Sequence, residues 1–553
     1  MKRQELVASV GIRGEEGQAA VAFVLMLGLL LLAIVGFSAD LTNMWFHRQS
    51  AKAAADAACQ AGAMDMLAKS AGMTLNGSGF IIGAADDCVG RPSATMCTYA
   101  SANGYSGTGL KAGSPSSSVS WSFPPPSSES GVTTPPSVAY PFLKVVVAEN
   151  VPTYFMTLAS AANYLTLNRS CTCGVVQVKG AAPMVVLHPS MPGSFIYNGA
   201  GTLNILGGPS RGLQVNSSSA TAVRWGTSGM LNLSAGGPAE TGSDVAIAGG
   251  PSSIPGSGTC NGNSGFCGGS TGSWKGHVLA IADPFGGVPG PAAPGDAPAP
   301  VWVDYGVDGC PDKSLVYQYY DRAAGKSVYK SCPEYYPGTY PSGITLGSST
   351  TAIFRPGIYY MKGSLSAGAS AIVRMAKPSG YQRTDGVMFY FVAGSLNLSG
   401  CSGCSNSNVD NVVSTDLTCD GSSPAASVGM PSSIPGNVLW GQCTTNGTYW
   451  DAAGDTIDSR GSPGSRSLLI FQDHANTTNP VFTGSGQLSF SGALYFHSSG
   501  YSDVLALSGG TSSGTYVLGE IIADQVQLTG SGMIKLALNP QATANMSKVA
   551  IVE

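Results

Sequence analysis

The sequence predicts a long N-terminal transmembrane α-helix with a small α+β domain, followed by a mainly-β domain, which we expect to be a right-handed parallel β-helix. Three observations lead to this fold class. Residues 19–39 carry no charge, an alanine-rich stretch follows them closely, and short alternating strands closed by glycine recur beyond residue 185. A β-sandwich is the alternative for the β-rich part, because it also joins short strands by turns.

Composition limits the class of protein. The chain has 553 residues, which is enough for more than one domain. Only 10% of the residues are charged, while 43% are hydrophobic, and disordered chains show the opposite balance. The 75 glycines therefore indicate turn-rich β-structure. The net charge of −4 argues against nucleic acid as a partner, because binding to it requires a basic face.

The first element is the uncharged segment Ala19–Ala39, which has 21 residues. A bilayer core requires about 20 apolar residues. A cleaved signal peptide has an apolar core of only about 7–15 residues, so we expect a retained transmembrane helix in the lipid bilayer. Trp45 is expected at headgroup level with Arg48 beyond it, and together they form an interfacial anchor.

Flanking charges and cysteines predict the orientation of this helix. Lys2, Arg3 and Arg13 precede the segment, whereas Arg48 and Lys52 follow it. Because cytoplasmic flanks carry the excess of positive charge, we expect a cytoplasmic N-terminus. The 13 cysteines agree with this orientation, since loop cysteines in such numbers suit an oxidising compartment.

An alanine-rich extension continues the helix beyond the apolar segment. Alanine has the highest helix propensity and no proline occurs between Gln18 and Lys69, so we expect a helix of about 75 Å. Ala54, Ala58 and Gly62 recur at four-residue intervals and form a stripe of small residues. Such a stripe lets another backbone approach closely. We expect this helix-packing stripe to contact other helices or a small sheet; the alternative is an exposed spacer helix.

The order of these features resembles the N-terminal module of the TadG-like (TadE/TadG-like) Flp pilus-assembly proteins of the tight-adherence system. The Gly17-Gln18 entry, the apolar segment, Asp40 at its end and the stretch Gln49–Ala63 follow one another as they do in that family. Residues 97–105 and 143–160 are similar to the helix and the strand-turn-helix that come next in the family.

One departure from the family pattern concerns processing. Prepilin-like members carry a cleavage glycine with a glutamate five residues further on. For Gly14 and Gly17 of this chain, that position is Ala19 and Ala22. We therefore expect an anchored protein and not a polymerising pilin.

The resemblance implies a function. We expect a membrane-anchored structural protein of the bacterial envelope, which acts in Flp (tight-adherence) pilus assembly or anchoring and in surface adhesion. The expected partners are the lipid bilayer, other pilus-assembly proteins, and cell-wall or surface polysaccharide. The expected location is the inner (cytoplasmic) membrane, crossed once, with the bulk of the chain periplasmic or extracellular.

The remainder of the chain changes character at about residue 184. Before it, Ser118–Phe123 alternates polar and apolar residues as a half-buried strand does, and Leu143–Glu149 is expected to be a second strand of a mixed α/β domain. After it, units such as Gly201–Gly208 and Gly394–Gly400 recur without a strict period, which favours stacked β-structure. The predicted domains are a cytoplasmic N-terminus (1–17), the transmembrane helix with its extension (18–69), a small α/β domain (70–184) and a solenoid-like domain (185–553) with a Pro/Gly/Cys-rich excursion at about 251–341.

Cysteines form six pairs of near neighbours in the sequence, with Cys59 left over. The connectivity does not follow from the sequence. A zinc site would need a second CxxC or nearby histidines, and "CSGC" at 401–404 has neither, so we expect disulfides. The candidate disulfide cysteines are Cys88, Cys97, Cys171, Cys173, Cys260, Cys267, Cys310, Cys332, Cys401, Cys404, Cys419 and Cys443.

Motifs for catalysis are missing from the sequence. Each of the five histidines lies more than ten residues from the next, and neither HExxH nor a P-loop occurs. Three GxSxG matches lack the strand and helix that a nucleophile elbow requires. We therefore expect no enzyme activity, no catalytic residue, no cofactor and no metal ligand.

A second function remains open. The chain would then be a membrane-tethered β-helix that binds or cleaves polysaccharide, and such an enzyme needs clustered carboxylates on one face. The candidate carboxylates, which we interpret as solvated turn residues, are Asp410, Asp416, Asp420, Asp503 and Asp524.

Overall fold

The structure is a computed structural model in which the chain divides into two compact units. Among the described residues, unit 1 runs to Val176 and takes in the C-terminal residues from Val549, while unit 2 runs from Gln177 to Lys548. The described residues are 15–70, 85–123, 142–158, 163–179, 182–226, 228–255, 264–286, 288, 290–368, 370–399, 412–444, 465–466, 468–483, 488–509, 515–538 and 545–552.

Unit 1 is built on one unbroken helix, α1 (Glu15–Ser70), which has 56 residues. Its alanine content and lack of proline explain this continuity. The part Gln18–Leu67 is long and apolar enough to cross a membrane. Its apolar side chains are exposed, for example Leu29 with 68% of its surface. This exposure fits a single-pass membrane anchor, because lipid would cover such side chains.

A short helix and an antiparallel sheet follow α1. The pairing is in register, so that Val147 lies opposite Val119 on one neighbouring strand and Arg169 on the other. The elements are α2 (Thr95–Ala102), β1 (Asp86–Asp87), β2 (Ser116–Ser122), β3 (Phe142–Pro152), β4 (Tyr164–Lys179) and a 3-10 helix (Met156–Leu158). The strands predicted at 118–123 and 143–149 are therefore β2 and β3.

Unit 2 consists mainly of short strands. In chain order they are β5 (Met184–Val186), β6 (Phe195–Tyr197), β7 (Thr202–Gly207), β8 (Arg211–Val215), β9 (Val223–Trp225), β10 (Met230–Asn232), β11 (Asp244–Ile247), β12 (Gly265–Cys267), β13 (Trp274–Lys275), β14 (Val301–Val303), β15 (Val316–Asp321), β16 (Lys326–Lys330), β17 (Cys332–Tyr335), β18 (Gly338–Tyr340), β19 (Ile344–Leu346), β20 (Thr351–Phe354), β21 (Gly357–Met361), β22 (Leu365–Ala367), β23 (Ile372–Met375), β24 (Val387–Phe391), β25 (Leu396–Ser399), β26 (Asn437–Trp440), β27 (Cys443–Thr444), β28 (Ser465–Arg466), β29 (Leu468–Gln472), β30 (Val481–Thr483), β31 (Leu488–Ser491), β32 (Ala493–Phe496), β33 (Val504–Gly509), β34 (Thr515–Leu518), β35 (Ile521–Ala523), β36 (Gln525–Gly530) and β37 (Met533–Leu538). The described 3-10 helices of unit 2 are Val307–Gly309, Ser414–Leu417 and Ala426–Val428.

Most of these strands belong to three parallel sheets, which together we call the parallel stack. Sheet I has the order β12-β10-β7-β37-β34-β31-β26-β23-β20-β17-β14, sheet II the order β13-β11-β8-β5-β35-β32-β29-β24-β21-β18, and sheet III the order β19-β22-β25-β30-β33-β36-β6-β9. In sheet I, β14 is antiparallel to β17. Two further pairs are antiparallel: β15 and β16, which form a hairpin, and β27 and β28.

Successive strands visit the three sheets in a fixed rotation. Thus β20, β21 and β22 belong to sheets I, II and III, and β23, β24 and β25 repeat this order one coil further on. The coils are in step, since Tyr359 lies beside Phe389 and Leu365 beside Leu396. Inward-pointing apolar side chains form one continuous core. The mainly-β domain with stacked strands is confirmed, and its sheets differ from the antiparallel sheets of a β-sandwich; the right-handed β-helix stays a prediction.

The chain begins the parallel stack in its middle. Met184 of β5 lies beside Leu213 of β8 on one side and Ile521 of β35 on the other. The first coils therefore extend in one direction as far as β13. The chain then resumes at the opposite end, with β17 and β18, and winds back until its last coil meets its first.

Residues 276–300, the return strap, connect the two ends of the parallel stack. The strap follows sheet II: Asn216 Nδ2 donates a hydrogen bond to the carbonyl of Ile281 at 2.7 Å, and Thr339 Oγ1 donates one to the carbonyl of Pro294 at 2.6 Å. Proline at this density disfavours strand pairing. The excursion predicted at 251–341 is thus narrower than expected, since its remainder contributes β12 to β18.

The C-terminal strand returns to unit 1. β38 (Asn545–Ile551) lies beside β4, and the N–H of Val552 donates to the carbonyl of Thr172 at 2.8 Å. The small sheet therefore takes its last strand from the end of the chain, which the predicted boundary at residue 184 does not include.

Three of the disulfides join cysteines that are near neighbours in the sequence, and one joins cysteines that are far apart. Bonds join Cys88–Cys97, Cys310–Cys332 and Cys419–Cys443. Cys267 is also disulfide-bonded, while Cys260, Cys401 and Cys404 lie outside the described residues.

The bond between Cys59 and Cys173 corrects the interpretation of Cys59 as the unpaired cysteine. Cys59 is bonded to Cys173, and Cys171 is a buried free thiol. Cys171 and Cys173 lie two residues apart on β4, so their side chains point to one face with Cα atoms about 6.5 Å apart along the strand. That separation is close to the upper limit for a disulfide, whereas Cys59 on α1 lies opposite.

Peptide mapping without reduction tests this connectivity. We expect a peptide pair linked through Cys59–Cys173 and an unmodified thiol at Cys171. Burial raises the pKa of Cys171 to about 12, so alkylation at pH 8 is expected only after unfolding. The pair Cys310–Cys332 is the internal control. A Cys171–Cys173 link, or rapid alkylation of Cys171 in the folded chain, would contradict the structure.

Candidate functional site

The candidate site in unit 1 is the junction where α1 leaves its apolar segment. Asp40 is only 1% exposed. Its carboxylate accepts hydrogen bonds from the backbone N–H groups of Tyr154 at 3.0 Å, Phe155 at 2.8 Å and Met156 at 2.6 Å. Hydrogen bonds to an ionised acceptor are about twice as strong as neutral ones. Asp40 therefore fastens the turn after β3 to α1.

A close contact one helical turn earlier supports this junction. A Cβ atom at Gly36 would lie 2.5 Å from Cδ1 and Cγ of Phe155. No side chain fits in that space, so the Phe155 ring packs directly on the helix backbone. At Gly28, by comparison, a Cβ atom would meet nothing within 4 Å. Gly36 thus serves the docking of the turn, whereas Gly28 does not.

Polar contacts continue along the helix beyond Asp40. His47 Nδ1 lies 3.0 Å from Glu149 Oε1 on β3, and the hydroxyl of Tyr105 donates to Glu149 Oε2 at 3.0 Å. Burial, with a contribution from the charge of Glu149, raises the pKa of Tyr105 to about 12, so its hydroxyl remains a donor. Lys52 Nζ donates to the carbonyl of Ser170 at 3.0 Å.

The helix-packing stripe lies against the chain's own small domain. Ala54 and Ala58 are fully buried. A Cβ atom at Gly62 would lie 2.8 Å from Sδ of Met96 and 3.2 Å from Cδ2 of Leu143, which places this position against α2 and β3. The small residues therefore let the helix backbone approach an intramolecular sheet and helix.

A disulfide secures the same face of the helix. Cys59 on α1 is bonded to Cys173 on β4, 114 residues further along the chain. A cross-link that closes a loop of this size stabilises the folded state by on the order of 4 kcal/mol, chiefly by restricting the unfolded chain. The alanine-rich half of α1 is thus held by packing, by hydrogen bonds and by a covalent bond.

The predicted interfacial anchor lies on the outer face of the helix. Trp45 is 55% exposed and its ring lies edge-on to that of Phe46, with centroids 5.1 Å apart. Arg48 is exposed in the next turn. Tyr154 and Phe155 are exposed as well. Aromatic rings at the end of an apolar segment are typical of the interface between membrane and water.

Comparison with known proteins identifies this module. Residues 17–65 match the Tad family model, which describes a TadE/G-like Flp pilus-assembly domain. The matched range contains the apolar segment, Asp40 and the helix-packing stripe. The N-terminal segment is therefore a TadE/G-like module, as the resemblance implied. No curated protein matches the chain, and no solved structure does.

Unit 2 holds a cluster of titratable side chains that the sequence does not reveal. His474, His497 and Asp283 lie together, although 191 or more residues separate Asp283 from the histidines. The two histidines follow adjacent strands of sheet II, and Asp524 follows the next one, β35. The sequence does contain one signal for this cluster, because a polar residue follows the apolar strand in successive coils. That signal is useful only when it is known which strands lie side by side.

The interpretation of the acidic residues as solvated turns is wrong for three of them. Asp503 and Asp524 are fully buried, and Asp416 is 7% exposed and pairs with Lys377 at 2.7 Å. Asp503 accepts a hydrogen bond from Gln472 Nε2 and Asp524 accepts one from the N–H of Ser498, so these carboxylates are paired inside the protein. Asp420 is exposed as expected, and Asp410 lies outside the described residues.

The substitution Asp40→Ala tests the junction. It leaves three backbone N–H groups without their acceptor, so we expect a loss of about 3 kcal/mol in the free energy of unfolding of unit 1. Urea denaturation of the full chain in detergent would measure it. The control is Asp56→Ala, since this half-exposed carboxylate pairs with Lys52 and should cost less than about 1 kcal/mol. Equal effects of the two substitutions would contradict the proposed role of Asp40.

Proposed function

We propose that the chain is a membrane-anchored structural component of Flp (tight-adherence) pilus assembly. The match of residues 17–65 to the TadE/G-like domain carries this proposal. The exposed apolar half of α1 supports membrane anchoring. The structure adds a physical reason for the module: one helix joins the bilayer segment rigidly to a folded domain.

The orientation follows from the chemistry of the cysteines. The disulfides among the described residues lie after the apolar segment, and disulfides persist in oxidising compartments. We place the N-terminus in the cytoplasm, the apolar segment in the inner membrane and both folded units in the periplasm or outside the cell. In this orientation Trp45 and Arg48 lie where the inner membrane meets water on its periplasmic side.

The expected partners are other pilus-assembly proteins. Because the helix-packing stripe is buried within unit 1, it is not the surface that meets them. The faces of α1 inside the bilayer remain exposed, including the open position Gly28. Helices in membranes associate through such small residues, so this segment is the natural contact with neighbouring membrane helices.

Counts of pili by electron microscopy in a deletion strain test the proposal. We expect pili to disappear and to return with the full chain. A shortened chain should also restore them if it keeps residues 1–180 and 545–553 joined by a flexible linker, because β38 completes the sheet of unit 1.

A matched control separates the module from simple anchoring. In it, residues 19–39 are replaced by an unrelated transmembrane helix of equal length, and we expect the protein to be anchored but pili to be reduced. An unchanged number of pili in the deletion strain would overturn the proposed function.

Adhesion is a second candidate role, and one surface feature favours it. The hairpin β15–β16 exposes Tyr317, Tyr319, Tyr320 and Tyr329, each by 46% to 56%. Exposed aromatic groups of this kind mark interaction surfaces, and flat rings suit the apolar faces of sugars. We propose surface polysaccharide as the ligand.

Replacement of these four tyrosines by serine tests this role. We expect binding of the full chain to purified cell-surface polysaccharide to fall about tenfold or more, as each exposed ring adds a modest contact. Tyr99→Ser is the control, because Tyr99 on α2 is 51% exposed. Unchanged binding by the hairpin variant would exclude the hairpin as the adhesive surface.

A further inference from the structure

Three side chains with metal-binding atoms converge beside sheet II. Asp283 comes from the return strap, and His474 and His497 come from two successive coils of the parallel stack. One ligand atom from each lies within 4.8 Å of the other two. Asp283 and His474 are half-buried and His497 is buried, with 8% exposed. The cluster therefore has an inner wall of protein and an outer side open to solvent.

The parallel stack itself places the two histidines. Their strands, β29 and β32, are neighbours in sheet II, with Phe471 beside Tyr495. The residues that follow these strands also lie close together: the rings of His474 and His497 have centroids 5.2 Å apart and meet edge to face.

The return strap presents the carboxylate to the histidines. Asp283 Oδ1 accepts a hydrogen bond from the N–H of Phe285 at 3.0 Å. The ring of Phe285 is 1% exposed and packs edge-on against Tyr495, with centroids 5.5 Å apart. With the backbone held in this way, Asp283 Oδ2 lies 3.8 Å from Nε2 of His497.

Buried groups orient His497 toward the cluster. Its Nδ1 lies 2.5 Å from Oδ1 of Asp524, which is fully buried. Asp524 is fixed in turn by the N–H of Ser498 at 3.0 Å and by the Ser498 hydroxyl at 3.1 Å. The Nδ1–H therefore points at Asp524, and Nε2 faces Asp283. This carboxylate–histidine arrangement is typical behind metal-binding imidazoles.

The electrostatics of the cluster favour a cation. Three carboxylates, those of Asp283, Asp503 and Asp524, surround His497. This excess of acidic groups around one imidazole favours a cation at the cluster.

Tyr495 lies at the centre of the cluster. Its hydroxyl donates to Asp283 Oδ2 at 2.6 Å and lies 2.9 Å from Nε2 of His474. The hydroxyl bridges the two groups that would ligate an ion and holds them near a common point.

We propose that Asp283, His474 and His497 bind a divalent transition-metal ion of the zinc type, which fastens the return strap to two coils of the parallel stack. Two imidazoles and one carboxylate are a donor set that Zn²⁺ accepts, with an open position for water. Ligand distances near 2.0 Å require donor atoms about 3.3 Å apart. The three donor atoms therefore need to move closer by about 1.5 Å or less, which side-chain rotation provides.

Titration of the full chain with Co²⁺ and then Zn²⁺ tests the proposal. The chain is purified in detergent and stripped with a chelator. We expect one equivalent of Co²⁺ with visible d–d absorption, without the thiolate-to-cobalt charge transfer that binding at "CSGC" would produce, and its displacement by Zn²⁺. We also expect Zn²⁺ to raise the thermal midpoint. These measurements need no substitution, so they do not depend on the folding of a variant.

Variants then assign the ligands. Asp283→Asn and His474→Asn should abolish the Co²⁺ spectrum, and Asp524→Asn should weaken affinity about 10-fold to 100-fold, since it only orients His497. The matched control is His277→Asn, because His277 is exposed in the same strap and its positive φ of 58° is one that asparagine tolerates. Retained binding by Asp283→Asn and His474→Asn, a thiolate spectrum, or less than one equivalent bound would overturn the proposal.

Discussion

The packing of an alanine-rich helix face against a small sheet is the interaction on which unit 1 depends. The same helix must be apolar on all sides where lipid surrounds it and smooth on one side where the sheet approaches. The small residues Ala54, Ala58 and Gly62 give the helix the smooth side that the sheet requires. Asp40 marks the change between the two environments, because its buried carboxylate holds the turn at Tyr154 to Met156. One continuous helix therefore connects the apolar segment to the small domain.

The parallel stack obeys a different constraint, since its first coil has to pair with its last. Met184 of β5 pairs with Ile521 of β35, and this pairing forms only after the chain has reached the far end of the parallel stack and returned. The return strap makes this winding possible, and its apolar contacts on sheet II are centred on Phe285. The strap also brings Asp283 to the histidines, so the candidate metal site is a product of the topology. A metal ion there would secure the segment on which the winding order depends.

Local signals predicted the local structure, and the failures were all long-range. The proline-free alanine stretch predicted α1, the alternation of polar and apolar residues predicted β2, and a valine-rich run predicted β3. The repeated glycine-closed units predicted stacked strands. Such repeats do not indicate which coils are neighbours, so they could not predict that β5, β6 and β7 each pair with a strand on both sides. For the same reason β38, the Cys59–Cys173 bond and the meeting of His474 with Asp283 could not be foreseen. Each requires knowledge of which distant segments lie side by side.

Residue-resolved hydrogen exchange of the full chain in lipid nanodiscs tests most directly that one continuous helix joins the bilayer segment to the folded domain. The account predicts protection of the amides from Ala19 to Met66 as one block, without a gap between Asp40 and Arg48, since the helix is hydrogen-bonded throughout and packed on the sheet from Asp40 onward. Exchange of residues 40–48 near the rate of an unstructured chain would contradict it, because the membrane segment and the domain would then be joined by a flexible linker.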